Sequence, residues 1–174
     1  MPRTETIVFG GGCFWCTEAV FKLFKGVIST EPGYAGGRTP NPIYGQVCTG
    51  KTGHAEVLKI DYDPSLISLK TLLDVFFKMH DPTTKDRQGA DVGSQYRSII
   101  LYTAEPQKRT LATAIAAKRK EFARPITTEV KKLDNFYPAE GYHKDYYTKN
   151  PLQPYCAIVI GPKIKKIKKE FGLE

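Results

Sequence analysis

No stretch of this chain approaches the ~18 consecutive apolar residues that a membrane-spanning helix needs, so no membrane role is expected. The opening Met1-Pro-Arg-Thr-Glu-Thr-Ile-Val-Phe-Gly10 lacks the uninterrupted apolar region of a signal peptide, because Glu5 and the glycines break it. Internal repeats, composition breaks and linkers rich in Gly, Ser or Pro are also missing, and the chain is read as one catalytic-sized unit, 1–174. A composition of 41% hydrophobic and 25% charged residues excludes collagen, low complexity and wholesale disorder. What is there is 174 residues, enough to bury roughly 70% of the unfolded surface around a single core. Without export features the expected compartment is the cytoplasm, where the four cysteines start out reduced.

The net charge of +8 invites a nucleic-acid reading. No basic patch interleaved with exposed aromatics supports it, however, and no nucleic-acid partner is expected. Part of the excess lies in the basic C-terminal segment 161–174, with five lysines against two glutamates. Ile164 and Ile167 stand at helical spacing there. The segment reads as a terminal helix with one apolar edge and a solvated basic face, attraction to acidic partners being the alternative.

Elements follow from periodicity and punctuation. The apolar run 7–9 ends at Gly10-Gly11-Gly12 and leads into a helix over about 16–24, then a strand. Prolines and glycines make 33–53 a long loop with strand pieces, and long loops in compact domains are often functional. Residues 55–62 alternate as a strand does. Ser68 is placed to cap a helix carrying Leu69, Leu72, Leu73, Phe76 and Phe77, which ends near His80 before Pro82. A central strand is predicted over 96–103, a helix from Pro106 to about 122, strands over 126–130 and 155–160, and a short helix over 142–147. Helices and strands mix without a strict βαβ rhythm, which makes the class α+β.

The chemistry gathers around Gly11-Gly12-Cys13-Phe14-Trp15-Cys16-Thr17-Glu18. A thiol placed where a strand turns through glycines into a helix meets free amides and the positive end of the helix dipole, which favour a thiolate. Three residues along a helix put the Cα atoms of Cys13 and Cys16 ~5 Å apart, inside the disulfide window. Cys13 would then be a nucleophile, with Cys16 able to close a disulfide afterwards. A Cys-x-x-Cys pair is equally open to a buried apolar role or to zinc. Phe14 and Trp15, the one tryptophan, are either ordinary core or an apolar pocket suited to a methyl or thioether group.

Three further clusters carry polar chemistry. In 55–62, Glu56 shares the more apolar strand face with Leu58, Ile60 and Tyr62, so its carboxyl should hold its proton near neutral pH and act as a general acid; an exposed strand start is the alternative. Asp91-Val-Gly-Ser-Gln-Tyr96 offers Tyr96 as a hydroxyl donor and Asp91 as a polar anchor, or simply turn chemistry. Glu140-Gly-Tyr142-His143-Lys-Asp145-Tyr146 is an aromatic, polar patch in which His143 reads as a structural hydrogen-bonder.

Taken together, the clusters closely resemble the A-type peptide methionine sulfoxide reductases, which act on the S epimer. The matching residues are Gly12-Cys13-Phe14-Trp15, then Tyr44 to Thr52-Gly53-His54-Ala55-Glu56. His80-Asp81-Pro82, Asp91 with Gln95-Tyr96-Arg97-Ser98, and Gly141-Tyr142-His143 with Asp145-Tyr146 complete the series, in order over about 6–160. The resemblance implies a two-layer α/β sandwich with a ferredoxin-like core and long irregular loops. It implies that Cys13 attacks the sulfoxide sulfur, that Phe14 and Trp15 receive the methyl group, and that Glu56 protonates the oxygen. Tyr44 and Tyr96 would hydrogen-bond that oxygen, and Asp91 would orient the substrate. Loss of methionine leaves Cys13 as a sulfenic acid. A second thiol then forms a disulfide, which thioredoxin re-reduces. No bound cofactor and no metal are implied. The expected partners are thioredoxin and oxidised proteins or free methionine sulfoxide, met by a monomer.

The chain departs from much of the family at the resolving thiol, because the tail after Pro162 holds no cysteine. Cys16 is the expected resolver, with Cys156 or a partner's thiol as alternatives and Cys48 structural. Two rival classes fit parts of this pattern. A zinc-dependent base deaminase would use His54-Ala-Glu56 and the cysteine pair, but in reversed order and with Gly12 where proline belongs. A general thiol–disulfide oxidoreductase would use Cys13 and Cys16 and leave the Glu56 and Tyr96 clusters without purpose.

Overall fold

The computed structural model describes residues 3–174. In chain order its elements are β1 (Glu5–Gly10), α1 (Phe14–Phe21), β2 (Val27–Ala35), α2 (Tyr44–Cys48), β3 (Ala55–Tyr62) and α3 (Leu69–Met79). There follow a small hairpin of β4 (Arg87–Gln88) and β5 (Asp91–Val92), then β6 (Ile99–Tyr102), α4 (Glu105–Lys118), β7 (Glu129–Lys132), β8 (Phe136–Pro138), α5 (Tyr146–Lys149) and α6 (Gly161–Glu170). The fold is mixed α and β. Six strands form one sheet in the order β7-β6-β1-β3-β2-β8, antiparallel throughout except for the parallel β6–β7 pair.

Strand alternation sorts the core into two faces. Ile7 and Phe9 of β1, Leu58, Ile60 and Tyr62 of β3, and Ile100 of β6 bury themselves against helices. The helical side of that core comes from Phe21 of α1, Leu72, Leu73 and Phe76 of α3, Leu111 of α4 and Ile167 of α6. Phe9 stacks on Phe76 with ring centroids 4.7 Å apart. The opposite face buries a smaller set, Val8, Ala35, Ala55, Val57, Ile99 and Leu101. Ser68 caps α3 as its sequence foretells, its Oγ accepting from the Thr71 amide at 3.1 Å. His80 ends that helix, buried, and bridges the Phe76 carbonyl to the Ser98 hydroxyl. Burial holds its imidazole neutral, with a pKa lowered to about 4.

Several boundaries move. The first helix begins at Phe14 rather than near 16, which puts Cys13 itself at the N-cap. The strand expected over 96–103 shrinks to Ile99–Tyr102, with a tight turn at Ser94–Tyr96 before it. The strand expected over 126–130 lies at Glu129–Lys132.

The strand expected over 155–160 is wrong. That stretch is a π-helical turn, Cys156–Ile160, running directly into α6. Its alternation was misleading because Ile158 and Val159 both face solvent, while Cys156 and Ile160 are fully buried. Cys156, Ile160, Ile164 and Ile167 are spaced by four, four and three residues, the stripe of one helix face. The basic tail is accordingly a helix with one buried edge, as expected.

Candidate active site

Cys13 is set between β1 and α1 by backbone geometry. Gly12 takes φ +93°, a conformation open to glycine at little cost, and the chain then turns directly into α1. Cys13 is the N-cap of that helix, its carbonyl accepting from the amides of Cys16 and Thr17. Of the amides at the helix start expected to favour a thiolate, that of Phe14 is engaged by Glu56 Oε1 at 3.3 Å, while that of Trp15 acts on the Cys13 sulfur in the expected sense. Burial first, and then the Glu56 and Cys16 charges, push the Cys13 thiol well above its ordinary range. Burial thus opposes the thiolate that the helix start favours.

Glu56 comes from β3, in register with Tyr34 of β2, and is 2% exposed. Desolvation pushes its pKa up to about 8, with the nearby Asp91 adding to the rise and the Phe14 amide opposing it. The alternative of an exposed strand start is thereby removed.

The aromatic walls are built by segments far apart in the chain. Phe14 is buried against Tyr34 and His143. Trp15 is half-buried, donates from Nε1 to His143 Nδ1 at 3.0 Å and lies flat on Tyr146 at 3.7 Å. Tyr44 opens α2, whose start is pinned by Glu140: Tyr34 Oη donates to one carboxylate oxygen and the Tyr44 amide to the other, both at 3.0 Å. Tyr44 and Tyr96 pack with Trp15 and Tyr155 around the cluster of Cys13, Phe14, Tyr34 and Val47. Burial raises both hydroxyls, helped at Tyr44 by Cys48 and at Tyr96 by Glu56 and Asp91, so each remains a proton donor.

The structure thus brings Cys13, Phe14, Trp15, Tyr44, Glu56, Asp91 and Tyr96 into one neighbourhood. Cys16 lies one helical turn on from Cys13, buried with Cys156, Ile160 and Ile164. Cys156 is fully buried, whereas Cys48 is exposed at the end of α2. An open cavity of about 830 Å³ reaches the thiol pair, lined among others by Cys13, Cys16, Asp91, Tyr155, Lys163 and Lys166.

Two residues that sequence reasoning passed over matter here. Glu18 is 2% exposed; its carboxylate accepts from Thr30 Oγ1 at 2.9 Å and from the Asp145 amide at 2.6 Å. Asp145 is held left-handed at φ +54° and pairs with Lys22. Together these bonds tether to α1 the segment that carries His143 and Tyr146. A carboxylate in the second turn of a mostly apolar helix was the available signal. Tyr155 lies 3.8 Å by its hydroxyl from Cys16 Sγ and donates to Asp91 Oδ2 at 2.6 Å.

His54, central to the zinc alternative, is spent on loop closure. Its Nδ1 accepts from the Gly37 amide at 3.0 Å and its Nε2 meets the Thr39 carbonyl at 2.7 Å. Gly37 permits this, since a Cβ there would stand 2.2 Å from the His54 nitrogen. Among the described residues no group of three or more His, Cys, Asp or Glu side chains is placed to hold a metal ion.

A family profile described as peptide methionine sulfoxide reductase matches residues 5–173. The chain belongs to the peptide methionine sulfoxide reductase family. It is 54% identical over 167 residues to the peptide methionine sulfoxide reductase MsrA of Sulfolobus acidocaldarius, covering 96% of this chain and 95% of that one. Identity to the MsrA of Nautilia profundicola is 59% over 166 residues, with 95% and 94% covered. Among solved structures, methionine sulfoxide reductase A of Corynebacterium diphtheriae matches with a TM-score of 0.84 at 38% identity, over 88% of this chain and 78% of that one. Mxr1 from Saccharomyces cerevisiae in reduced form gives 0.83 at 36% identity, over 87% and 88%. The same yeast reductase in complex with Trx2 matches at 0.60 and 25% identity, over 83% and 85%.

Proposed function

We propose that this member of the reductase family reduces methionine sulfoxide to methionine at Cys13, acting on the S epimer, with Cys16 as the resolving thiol. The reaction class is the family's, a thiol-dependent oxidoreductase reaction. One observation carries the residue assignment: a buried carboxyl, Glu56, still protonated near neutral pH, is bonded to the amide that follows Cys13.

An oxygen leaving sulfur needs a proton, and a carboxyl with a pKa near 8 has one to give. Glu56 donates it while Cys13 sulfur attacks the sulfoxide sulfur, and the thiol's own proton restores the Glu56 acid. The Tyr44 and Tyr96 hydroxyls steady the oxygen, and Phe14 and Trp15 receive the methyl group. Asp91 orients the substrate. The transient sulfur–sulfur bond and the substrate's sulfur–oxygen bond then break as the hydroxyl passes to Cys13, which becomes a sulfenic acid while methionine departs, so the substrate gains the two electrons the thiol loses. Cys16 then displaces water and forms the disulfide.

Support for a thioredoxin as the reductant is the yeast relative solved with Trx2. Support for a ferredoxin-like, two-layer core is the antiparallel order β6-β1-β3-β2, with α1 crossing from β1 to β2 and α3 from β3 to β6. In this reading residues 1–174 work as one catalytic domain, a cytoplasmic monomer meeting free or protein-bound methionine sulfoxide.

The test is an epimer-resolved assay of the wild type, Cys13→Ser and Cys16→Ser with a dithiol or thioredoxin. Consumption of the S epimer alone by the wild type and none by Cys13→Ser is expected. Reduction of insulin disulfides with both epimers untouched would favour the general oxidoreductase instead.

A further inference from the structure

We propose that Tyr155 and Asp91 form the proton relay that activates Cys16 for disulfide formation, which makes Tyr155 a catalytic residue of the second half-reaction. The inference rests on the reading of Cys16 as the resolving thiol.

The geometry is a three-group chain. Tyr155 has one hydroxyl proton, and its 2.6 Å bond commits that proton to Asp91 Oδ2. At the 3.8 Å contact with Cys16 the hydroxyl oxygen is then the acceptor and the thiol the donor. Cys16, Tyr155 and Asp91 line the same cavity as Cys13, so the chain begins at the resolving thiol and ends in the cavity that also holds the nucleophile. The ring is held by its edge-on contact with Trp15, centroids 6.0 Å apart, and by its place just before the buried Cys156.

Cys16 needs such help. Burial lifts its thiol above the ordinary value, an effect that the Lys163 charge opposes without cancelling. A protonated thiol is a poor nucleophile. Burial, Cys13 and Cys16 likewise push the Tyr155 hydroxyl far up, so it relays as a neutral group able to accept and donate at once.

The step balances as follows. Cys16 Sγ attacks the sulfenic sulfur of Cys13, the sulfur–sulfur bond forms and the sulfur–oxygen bond breaks. As Cys16 attacks, its proton passes to Tyr155 Oη and the Tyr155 proton to Asp91. Asp91 then delivers a proton to the departing hydroxide, and water leaves. The two electrons that reduce the sulfenic sulfur come from Cys16, and no further reagent is consumed.

The experiment is a single turnover without reductant, quenched at intervals. Methionine is counted, sulfenic acid is trapped with a cyclic 1,3-diketone, and disulfides are mapped by mass. In Tyr155→Phe, disulfide formation is expected to slow at least about 10²-fold relative to methionine release, the low side of what acid–base groups supply, and trapped Cys13 sulfenic acid to accumulate. Asp91→Asn, which keeps the shape and loses the proton acceptor, should show the same lag and carries the test if the tyrosine variant does not fold. A Cys13–Cys16 disulfide formed as fast as in wild type by either folded variant overturns the relay alone. A wild-type disulfide between Cys13 and Cys156 overturns instead the reading on which it rests.

Discussion

The Phe14 amide, the first of α1, donates to Glu56 Oε1 at 3.3 Å across 42 positions of sequence. That bond fixes the carboxyl against the helix that begins at Cys13, and the rest of the site is assembled around the pair. It also sets opposite demands on stability and activity.

Glu56→Gln should lose at least about 10²-fold in the rate of methionine formation, since an amide cannot supply the proton. In the wild type that rate should fall as pH rises through about 8, where Glu56 gives up its proton. Single-turnover rates between pH 6 and 9 check both statements.

The same carboxyl should cost stability. Its pKa is near 8 folded and ordinarily 4.5, so over that interval the folded state holds a proton that the unfolded state has lost. Stability then falls as pH rises from the lower value to the higher, at up to roughly 1.4 kcal/mol per unit. Glu56→Gln should therefore be the more stable protein at pH 8 and show little difference at pH 4, read by denaturant unfolding.

Glu18→Ala should release the 141–149 segment from α1. Loss of its bonds to Thr30 and to the Asp145 amide leaves buried donors unpaired, at a cost of about 1–3 kcal/mol each. Because Tyr146 and His143 hold Trp15, Trp15 fluorescence should shift and the KM for sulfoxide should rise. An unchanged spectrum with normal KM would count against the tether.

The terminal helix should matter through its buried edge. Ile167→Ala removes a fully buried side chain from the main core and should cost about 2–5 kcal/mol. Reversing the exposed Lys165 or Lys169 should change stability by no more than about 0.5 kcal/mol and leave single-turnover rates unaltered.

Much of this site is legible in the sequence because its chemistry is local. Gly12 before Cys13 and the apolar side of 55–62 containing Glu56 require no knowledge of distant partners. Ser68 and the leucines after it announce α3 for the same reason. What is hidden depends on contacts between remote segments. Tyr155 meets Asp91 across 64 positions and Glu18 meets Asp145 across 127, and neither partner carries a periodicity that names the other. The helix start that favours a Cys13 thiolate is a local feature, whereas the burial that opposes it belongs to the assembled fold. The strand expected over 155–160 failed because four apolar residues satisfy two periods. Only Ile164 and Ile167, read together with Cys156 and Ile160, decide for the helix.

The most direct measurement is mass mapping of thiols after one turnover on the S epimer without reductant. The account predicts one equivalent of methionine per chain and a Cys13–Cys16 disulfide, with Cys48 and Cys156 still free. A Cys13–Cys156 disulfide, or methionine formed with Cys13 unmodified, would contradict it.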